Sequence, residues 1–241
     1  MAAPAGTLSP PTLRQILERP DVWRGDALAG TRLPGVPTGF AELDGELPGG
    51  GWPRGGLIEL LPICDGVGEL SLLLPALARV SNDELSWLVC IAPPYSLHAP
   101  AWSAGGVDLS RLLVAGASGH DAAWACERSL VAEGVGAVVA WLPDARSTVL
   151  RRLQLAAENS RTLLFVFRPA LCASQPSPAS LRLLLAGEGD QLRVRLLKRR
   201  GNACATPVLI AVQRPVPLGH ALAGSSTSAP AARRLSQSAV A

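Results

Sequence analysis

Short apolar runs alternate with amphipathic segments through the middle of the chain. Strands buried on both faces of a parallel sheet are apolar at nearly every position, and we expect such strands at 57–61, 86–92, 111–116, 136–142 and 162–168. Apolar residues spaced three and four apart predict helices at 40–47, 69–80, 121–134 and 147–160. The alternation predicts an α/β fold with a mostly parallel central sheet that helices cover on both faces.

Two of these predicted helices contain a residue that bears on where the helix begins. Pro75 lies inside 69–80. Because proline lacks a backbone N–H and clashes with the preceding turn, it should either kink this helix or shift its start. Ser147 is the expected N-cap of the helix at 147–160.

The pattern changes toward the C-terminus. Three further runs, at 181–186, 191–198 and 206–212, are separated by the short turns GEGD and RRGN. Glycine-containing turns of this length predict antiparallel hairpins, so the sheet should gain an antiparallel C-terminal extension. The expected organisation is an N-terminal arm with a short helix (1–30), a core domain (31–217) and a disordered tail (218–241).

Composition narrows the function classes only slightly. The chain has 241 residues, is 48% hydrophobic and carries a formal net charge of +3. That length suits one α/β domain with a sizeable core, and the charge is too small to mark a dedicated nucleic-acid binder. Five cysteines without CxxC or Cys/His spacing argue against a metal site and fit reduced thiols. With no predicted signal peptide or membrane span, we expect a cytoplasmic protein.

A glycine-rich frame surrounds the strand predicted at 57–61. GGGWPRGG precedes this strand and GVGELS follows it, leading into the next predicted helix. A strand, a glycine-rich loop and a helix form the frame of a phosphate-binding loop. ATP hydrolysis also needs a lysine for the phosphates, a hydroxyl for Mg²⁺ and a carboxylate on a neighbouring strand. The only lysine of this chain is Lys198, far from the loop.

The order of these pieces resembles the ATPase core of RecA-type recombinases over roughly 36–213. The resemblance rests on PTGFAELDGELPGGGWPRGGLIEL, on GVDLSRLLVAGASGHDAAWACERSLVAEGVGAVVAWL and on LRVRLLKRRGNACATPVLI. Together with GVGELSLLLPALARV, APPY and LRRLQLAAE, these segments resemble the ImuA family of RecA-like proteins, which is associated with bacterial translesion DNA synthesis and is sometimes labelled SulA-like.

The resemblance implies where the nucleotide chemistry should lie. The glycines of the nest are reduced to Gly66 and Gly68, Glu69 stands at the lysine position, Leu70 at the Mg²⁺-binding hydroxyl position, and Ser71 comes one residue late. A carboxylate near a phosphate costs about 1–4 kcal/mol of repulsion. We therefore expect Glu69 to satisfy the positive end of the following helix itself.

Two further positions lack the implied groups. Trp141 stands where the Walker B carboxylate belongs, and residues 92–95 (APPY) offer no water-activating glutamate. The sequence therefore predicts a degenerate phosphate-binding loop with no catalytic residue, no metal and no bound cofactor.

Basic residues mark candidate contacts to DNA or to a partner. They are Arg193, Arg195, Lys198, Arg199 and Arg200 on the predicted hairpin, and Arg151 and Arg152 on the helix at 147–160. A solvated hairpin and a DNA-phosphate contact both fit this pattern. The loop at 168–180, which corresponds to a RecA DNA-binding loop, has Arg168 as its single cation and is expected to be mobile.

The resemblance implies a catalytically silent adaptor of the SOS DNA-damage response. The implied partners are a Y-family-like, polymerase-related protein of the ImuB type, an error-prone C-family DNA polymerase and RecA. The protein would then associate with the nucleoid during DNA damage. In RecA filaments an N-terminal segment of one protomer docks on the core of the next, and such a docking surface could accept a partner segment. Two alternatives stay open: a DNA-stimulated ATPase, and a SulA-like inhibitor of cell division.

Overall fold

The computed structural model describes residues 34–199 and 206–212. The helices in these ranges are α1 (Ala41–Glu46), α2 (Leu74–Asn82), α3 (Ala99–Ala104), α4 (Gly119–Val131) and α5 (Ser147–Glu158). The strands are β1 (Leu57–Pro62), β2 (Trp87–Ile91), β3 (Leu112–Ala115), β4 (Val135–Trp141), β5 (Leu163–Phe167), β6 (Leu181–Glu188), β7 (Gln191–Lys198) and β8 (Val208–Ala211). Short 3-10 helices span Leu109–Arg111 and Ala170–Ser174. The predicted N-terminal arm and C-terminal tail lie outside the described residues.

All these strands form one sheet in the order β3-β2-β4-β5-β1-β6-β7-β8. The pairs from β3 to β6 are parallel, and β7 runs antiparallel to both β6 and β8. The predicted α/β class, with a mostly parallel sheet and an antiparallel C-terminal extension, is confirmed. The central strand is β1, and open α/β sheets bind ligands beyond the carboxyl ends of their central strands.

Helices cover both faces of the sheet, as the apolar strand pattern predicts. On one face α1, α2 and α3 contribute Leu43, Leu77 and Trp102 to a core that includes alternate residues of the strands. On the other face α4 and α5 pack through a second core, to which they contribute Cys126, Leu130, Leu150, Leu153 and Ala157. Each central strand therefore buries both of its faces.

The helix expected at 69–80 begins later than its apolar spacing indicates. It starts at Leu74, with Pro75 in its first turn, where a missing N–H costs nothing. Residues 69–73 form turns, so Pro75 shifts the start of the helix and does not kink it. Ser147 is the first residue of α5, and Arg146, one residue earlier, is its N-cap. The short helix α3 was not predicted.

A buried ion cluster joins the middle of the sheet to the segment after β5. Glu59 of β1 is 0% exposed. It accepts a hydrogen bond at 2.6 Å from Nη1 of Arg168, and a second one from Nε of Arg182 on β6. Arg182 also donates to the carbonyls of Cys172 and Gln175, at 2.7 and 3.0 Å. The prediction of a mobile loop at 168–180 was therefore wrong, because buried side chains anchor this segment.

No helix in the described part of the chain is both long enough and apolar enough to cross a membrane.

Candidate functional site

The loop between β1 and α2 lies beyond the carboxyl end of the central strand. Gly66 and Gly68 adopt φ angles of +76° and +101°, in the left-handed region that glycine tolerates best. Their N–H groups donate to the two carboxylate oxygens of Glu69, each at 3.0 Å. The carboxylate of Glu69 therefore takes up two backbone amides of this loop.

Glu69 acts on the loop and not on a helix end. Glu69 lies five residues before Leu74, where α2 begins, so the expectation that Glu69 would satisfy the dipole of that helix was wrong. The neighbouring Leu70, at the position implied for a Mg²⁺-binding hydroxyl, is half-buried and packs against the core. Ser71 is also half-buried.

Trp141 fills the position where the resemblance places a metal-binding carboxylate. It ends β4 and stacks on Phe167 of the adjacent β5, with ring centroids 5.1 Å apart and planes inclined by 16°. Both side chains pack against the same core as Leu70. This end of the sheet is therefore occupied by an aromatic pair.

A hydrogen bond joins the loop after β1 to the loop after β2. The hydroxyl of Tyr95 donates to Oδ2 of Asp65 at 3.1 Å. This bond, and then the negative charge of Asp65, raise the pKa of Tyr95 above its usual value. Sequence reasoning missed this contact, because nothing in the local pattern pairs an aspartate with a tyrosine 30 residues away.

The hairpin cations are placed individually rather than in one cluster. Arg193 donates to Oε2 of Glu188 across the hairpin. Nζ of Lys198 donates to the carbonyl of Ser177 at 2.9 Å, and Nη1 of Arg199 donates to Oε2 of Glu46 at 2.9 Å. Arg193, Lys198 and Arg199 therefore each bind a different part of the protein.

The remaining predicted cations differ in whether their side chains pair with an acidic residue. Arg195 is exposed, and its side chain forms no hydrogen bond or ion pair within the described ranges. Arg152 pairs with Glu127 at 2.6 Å on the outer surface of α4 and α5, and Arg151 beside it is exposed. Arg200 lies outside the described residues.

The edge strand β3 exposes apolar side chains. Leu113 and Val114 are 49% and 54% exposed, and β3 pairs on one side only, with β2, among the described strands. An edge strand offers unpaired N–H and C=O groups to an incoming strand. The exposed Trp124 lies on α4, which follows β3.

No protein-family model matches the chain, and two curated proteins are similar to it over about half of its length. It is 30% identical over 112 residues to the cell division inhibitor SulA of Photorhabdus laumondii subsp. laumondii, covering 46% of this chain and 63% of that protein. It is 28% identical over 131 residues to the cell division inhibitor SulA of Edwardsiella piscicida, covering 53% and 78%. The chain thus spans slightly less than two thirds of the first relative's length. It is weakly homologous to SulA, whereas the closer resemblance to the ImuA family stays a prediction.

Proposed function

We propose that this protein is a non-catalytic, RecA-like adaptor of the SOS DNA-damage response that acts by binding protein partners during error-prone translesion DNA synthesis. The observation that carries the proposal is the carboxylate of Glu69, held by the amides of Gly66 and Gly68 at 3.0 Å. In such a protein a side-chain carboxylate takes the place of a nucleotide phosphate in the loop. This arrangement favours the binding of protein partners over the hydrolysis of ATP.

The electrostatic cost to a nucleotide supports this proposal. A phosphate that entered the loop would have to displace Glu69 from two amides. With Glu69 still about 4 Å away, it would meet a repulsion of about 1–4 kcal/mol for each pair of unit charges. That range corresponds to a loss of roughly five- to several-hundred-fold in affinity, and no lysine lies in this loop to offset it.

The expected partners are those that the resemblance implies: an ImuB-type, polymerase-related protein, an error-prone C-family DNA polymerase and RecA. The exposed edge of β3 offers a surface for such a partner. An extended partner segment could add a strand beside β3 and place apolar side chains against Leu113 and Val114. Work of this kind would take place in the cytoplasm, in association with the nucleoid during DNA damage.

Two measurements test the proposal. Mg²⁺-dependent ATP turnover should stay at background with and without single-stranded DNA, which also separates the adaptor from a DNA-stimulated ATPase. Turnover that Glu69→Ala abolishes would contradict the proposal. Nuclease-treated co-purification should recover the polymerase partners, with at least about tenfold less recovery for Leu113→Asp. Leu171→Asp is the matched control, because Leu171 is 75% exposed on a different segment. Equal recovery with both variants would rule out β3 as the docking edge.

A second candidate function is inhibition of cell division, which the 28–30% identity to the two SulA proteins favours. It differs from the adaptor function in the partner that is bound. In a sedimentation assay with the tubulin-like division protein, an inhibitor should lower the amount of pelleted polymer in proportion to the amount added. An unchanged pellet, together with recovery of the polymerase partners, would leave the adaptor as the function.

A further inference from the structure

The C-terminal extension of the sheet has one face without a helix layer. Residues alternate across β6, β7 and β8. Leu183, Leu185, Leu192, Val194 and Ile210 are buried in the core on the face where α1 contacts β8. Cross-strand neighbours on the opposite face include the pairs Leu184–Arg195, Ala186–Arg193 and Arg193–Leu209. On that side of the sheet, α4 and α5 pack over β1, β2 and β4. The segment after β5 covers this face at Arg182, at the start of β6. Within the described residues, the face is open farther along the strand, from Leu184 onward.

This face contains a groove of about 280 Å³ lined by Leu184, Ala186, Arg193, Arg195 and Pro207. The lining combines apolar side chains with two guanidinium groups. Arg193 donates a hydrogen bond to Glu188 at the hairpin, and this bond lowers the pKa of Glu188. Arg195 is exposed and has no partner among the described residues. The groove therefore presents one uncommitted cation beside an apolar surface.

We propose that this groove binds an acidic, partly apolar peptide segment of a partner protein. A carboxylate of the segment pairs with Arg195, and a neighbouring apolar side chain packs against Leu184, Ala186 and Pro207. The planar fork of arginine matches a carboxylate with two hydrogen bonds, and the apolar lining stabilises the contact by removing surface from water.

The same groove is a poor match for a nucleic acid. A DNA backbone is held by several cations in a row, and single strands are held by stacking on aromatic rings. Here the neighbouring cations Arg193, Lys198 and Arg199 already have protein partners, and no aromatic side chain lines the groove. Charge and lining together favour the peptide.

This proposal goes beyond the adaptor function, because the groove and the edge strand β3 lie toward opposite ends of the sheet. One protein could therefore hold two partners at the same time, one at each end. The two surfaces can be inactivated separately: a variant at Arg195 leaves β3 intact, and a variant at Leu113 leaves the groove intact.

The test uses the full chain and a fluorescent peptide of alternating Glu and Leu, followed by fluorescence anisotropy. We expect saturable binding that weakens as salt is raised from about 50 to about 300 mM, since the ion pair is exposed. Arg195→Gln should weaken binding about tenfold. Arg146→Gln removes the same charge from an exposed site just before α5 and should leave binding unchanged. A Glu–Ser peptide, which lacks the apolar side chains, should bind more weakly than the Glu–Leu peptide.

Several outcomes would overturn the proposal. They are the absence of saturable binding to the Glu–Leu peptide, equal affinity of Arg195→Gln and wild type, equal loss in Arg146→Gln, and equal binding of a Lys–Leu peptide. Tighter binding of oligo(dT) at the same groove, abolished by Arg195→Gln, would replace the peptide by a nucleic acid. Circular dichroism of each variant establishes that any loss of binding occurs in a folded protein.

Discussion

The buried ion cluster provides a quantitative test of the fold. Glu59 is fully buried, and the side chains of Arg168 and Arg182 are only 5% and 7% exposed. Glu59→Gln keeps the size of the side chain but leaves two buried guanidinium groups without their counter-ion. Removing one partner of a buried pair typically costs about 3–5 kcal/mol, a large part of the roughly 5–15 kcal/mol that holds a domain folded.

Urea and thermal unfolding measure this cost. At about 2–4 °C per kcal/mol for a domain of this size, Glu59→Gln should lower the melting temperature by roughly 6–20 °C. Glu127→Gln is the matched control: its partner Arg152 lies at the same 2.6 Å, but their side chains are 22% and 57% exposed. We expect that control to lose at most about 1 kcal/mol.

A double variant tests the cause. Adding Arg168→Met to Glu59→Gln removes one of the two uncompensated charges, and Arg182 keeps its carbonyl acceptors at Cys172 and Gln175. The double variant should therefore be more stable than Glu59→Gln alone. A loss from Glu59→Gln no larger than that of the Glu127 control would show that the cluster does not hold the sheet together, and would refute the argument.

Three further predictions concern the loops and thiols. Gly68→Ala places a side chain at φ +101° and should cost about 1–3 kcal/mol, measured by urea unfolding. Tyr95 is the only tyrosine, so its absorbance titration is unambiguous. Asp65→Asn should lower the raised pKa of Tyr95. The stability that this hydrogen bond contributes should be present below about pH 10 and lost as the pH rises through the raised pKa. Cys64 is exposed, whereas burial raises the pKa of Cys126 to about 12. A thiol reagent should therefore modify Cys64 before Cys126.

Each of these has a clear control. Ala at Gly45, a helical glycine with open space around its Cβ, should be tolerated, and equal losses at Gly45 and Gly68 would argue against backbone strain. An unchanged titration in Asp65→Asn would show that the tyrosine hydroxyl is not bonded to Asp65 in solution. Modification of Cys126 as fast as Cys64 in the native protein would contradict its burial on the sheet-facing side of α4.

The sheet could be predicted from the sequence because strands that are buried on both faces consist of continuous apolar residues. Continuous apolar runs gave β1, β2, β4 and β5 to within a residue or two, and alternation gave β7 without error. Asp44 braces a turn, as its place in the turn-rich segment before β1 predicts: its Oδ1 accepts from the N–H of Thr38 at 2.8 Å. Helix starts were less predictable, since Pro75 could either kink a helix or open one.

The residues of the candidate site could be predicted from the sequence, but their hydrogen-bond partners could not. The glycines and Glu69 could be named from the loop frame, but the frame says nothing about which donors a carboxylate reaches once the helix starts five residues later. Arg168 shows the same limit. Its loop looked polar and unanchored, because its partner Glu59 lies 109 residues earlier and no local pattern pairs them.

The distances along the chain within the ion cluster affect how the protein is made. The two arginines that pair with Glu59 lie 109 and 123 residues downstream of it. A ribosome must therefore translate most of the core before the charge of Glu59 is paired. Contacts of such long range form late and slowly. A nascent chain stalled before Arg182 keeps an unmatched strand edge at β1, which makes premature termination products natural targets for chaperones and proteases.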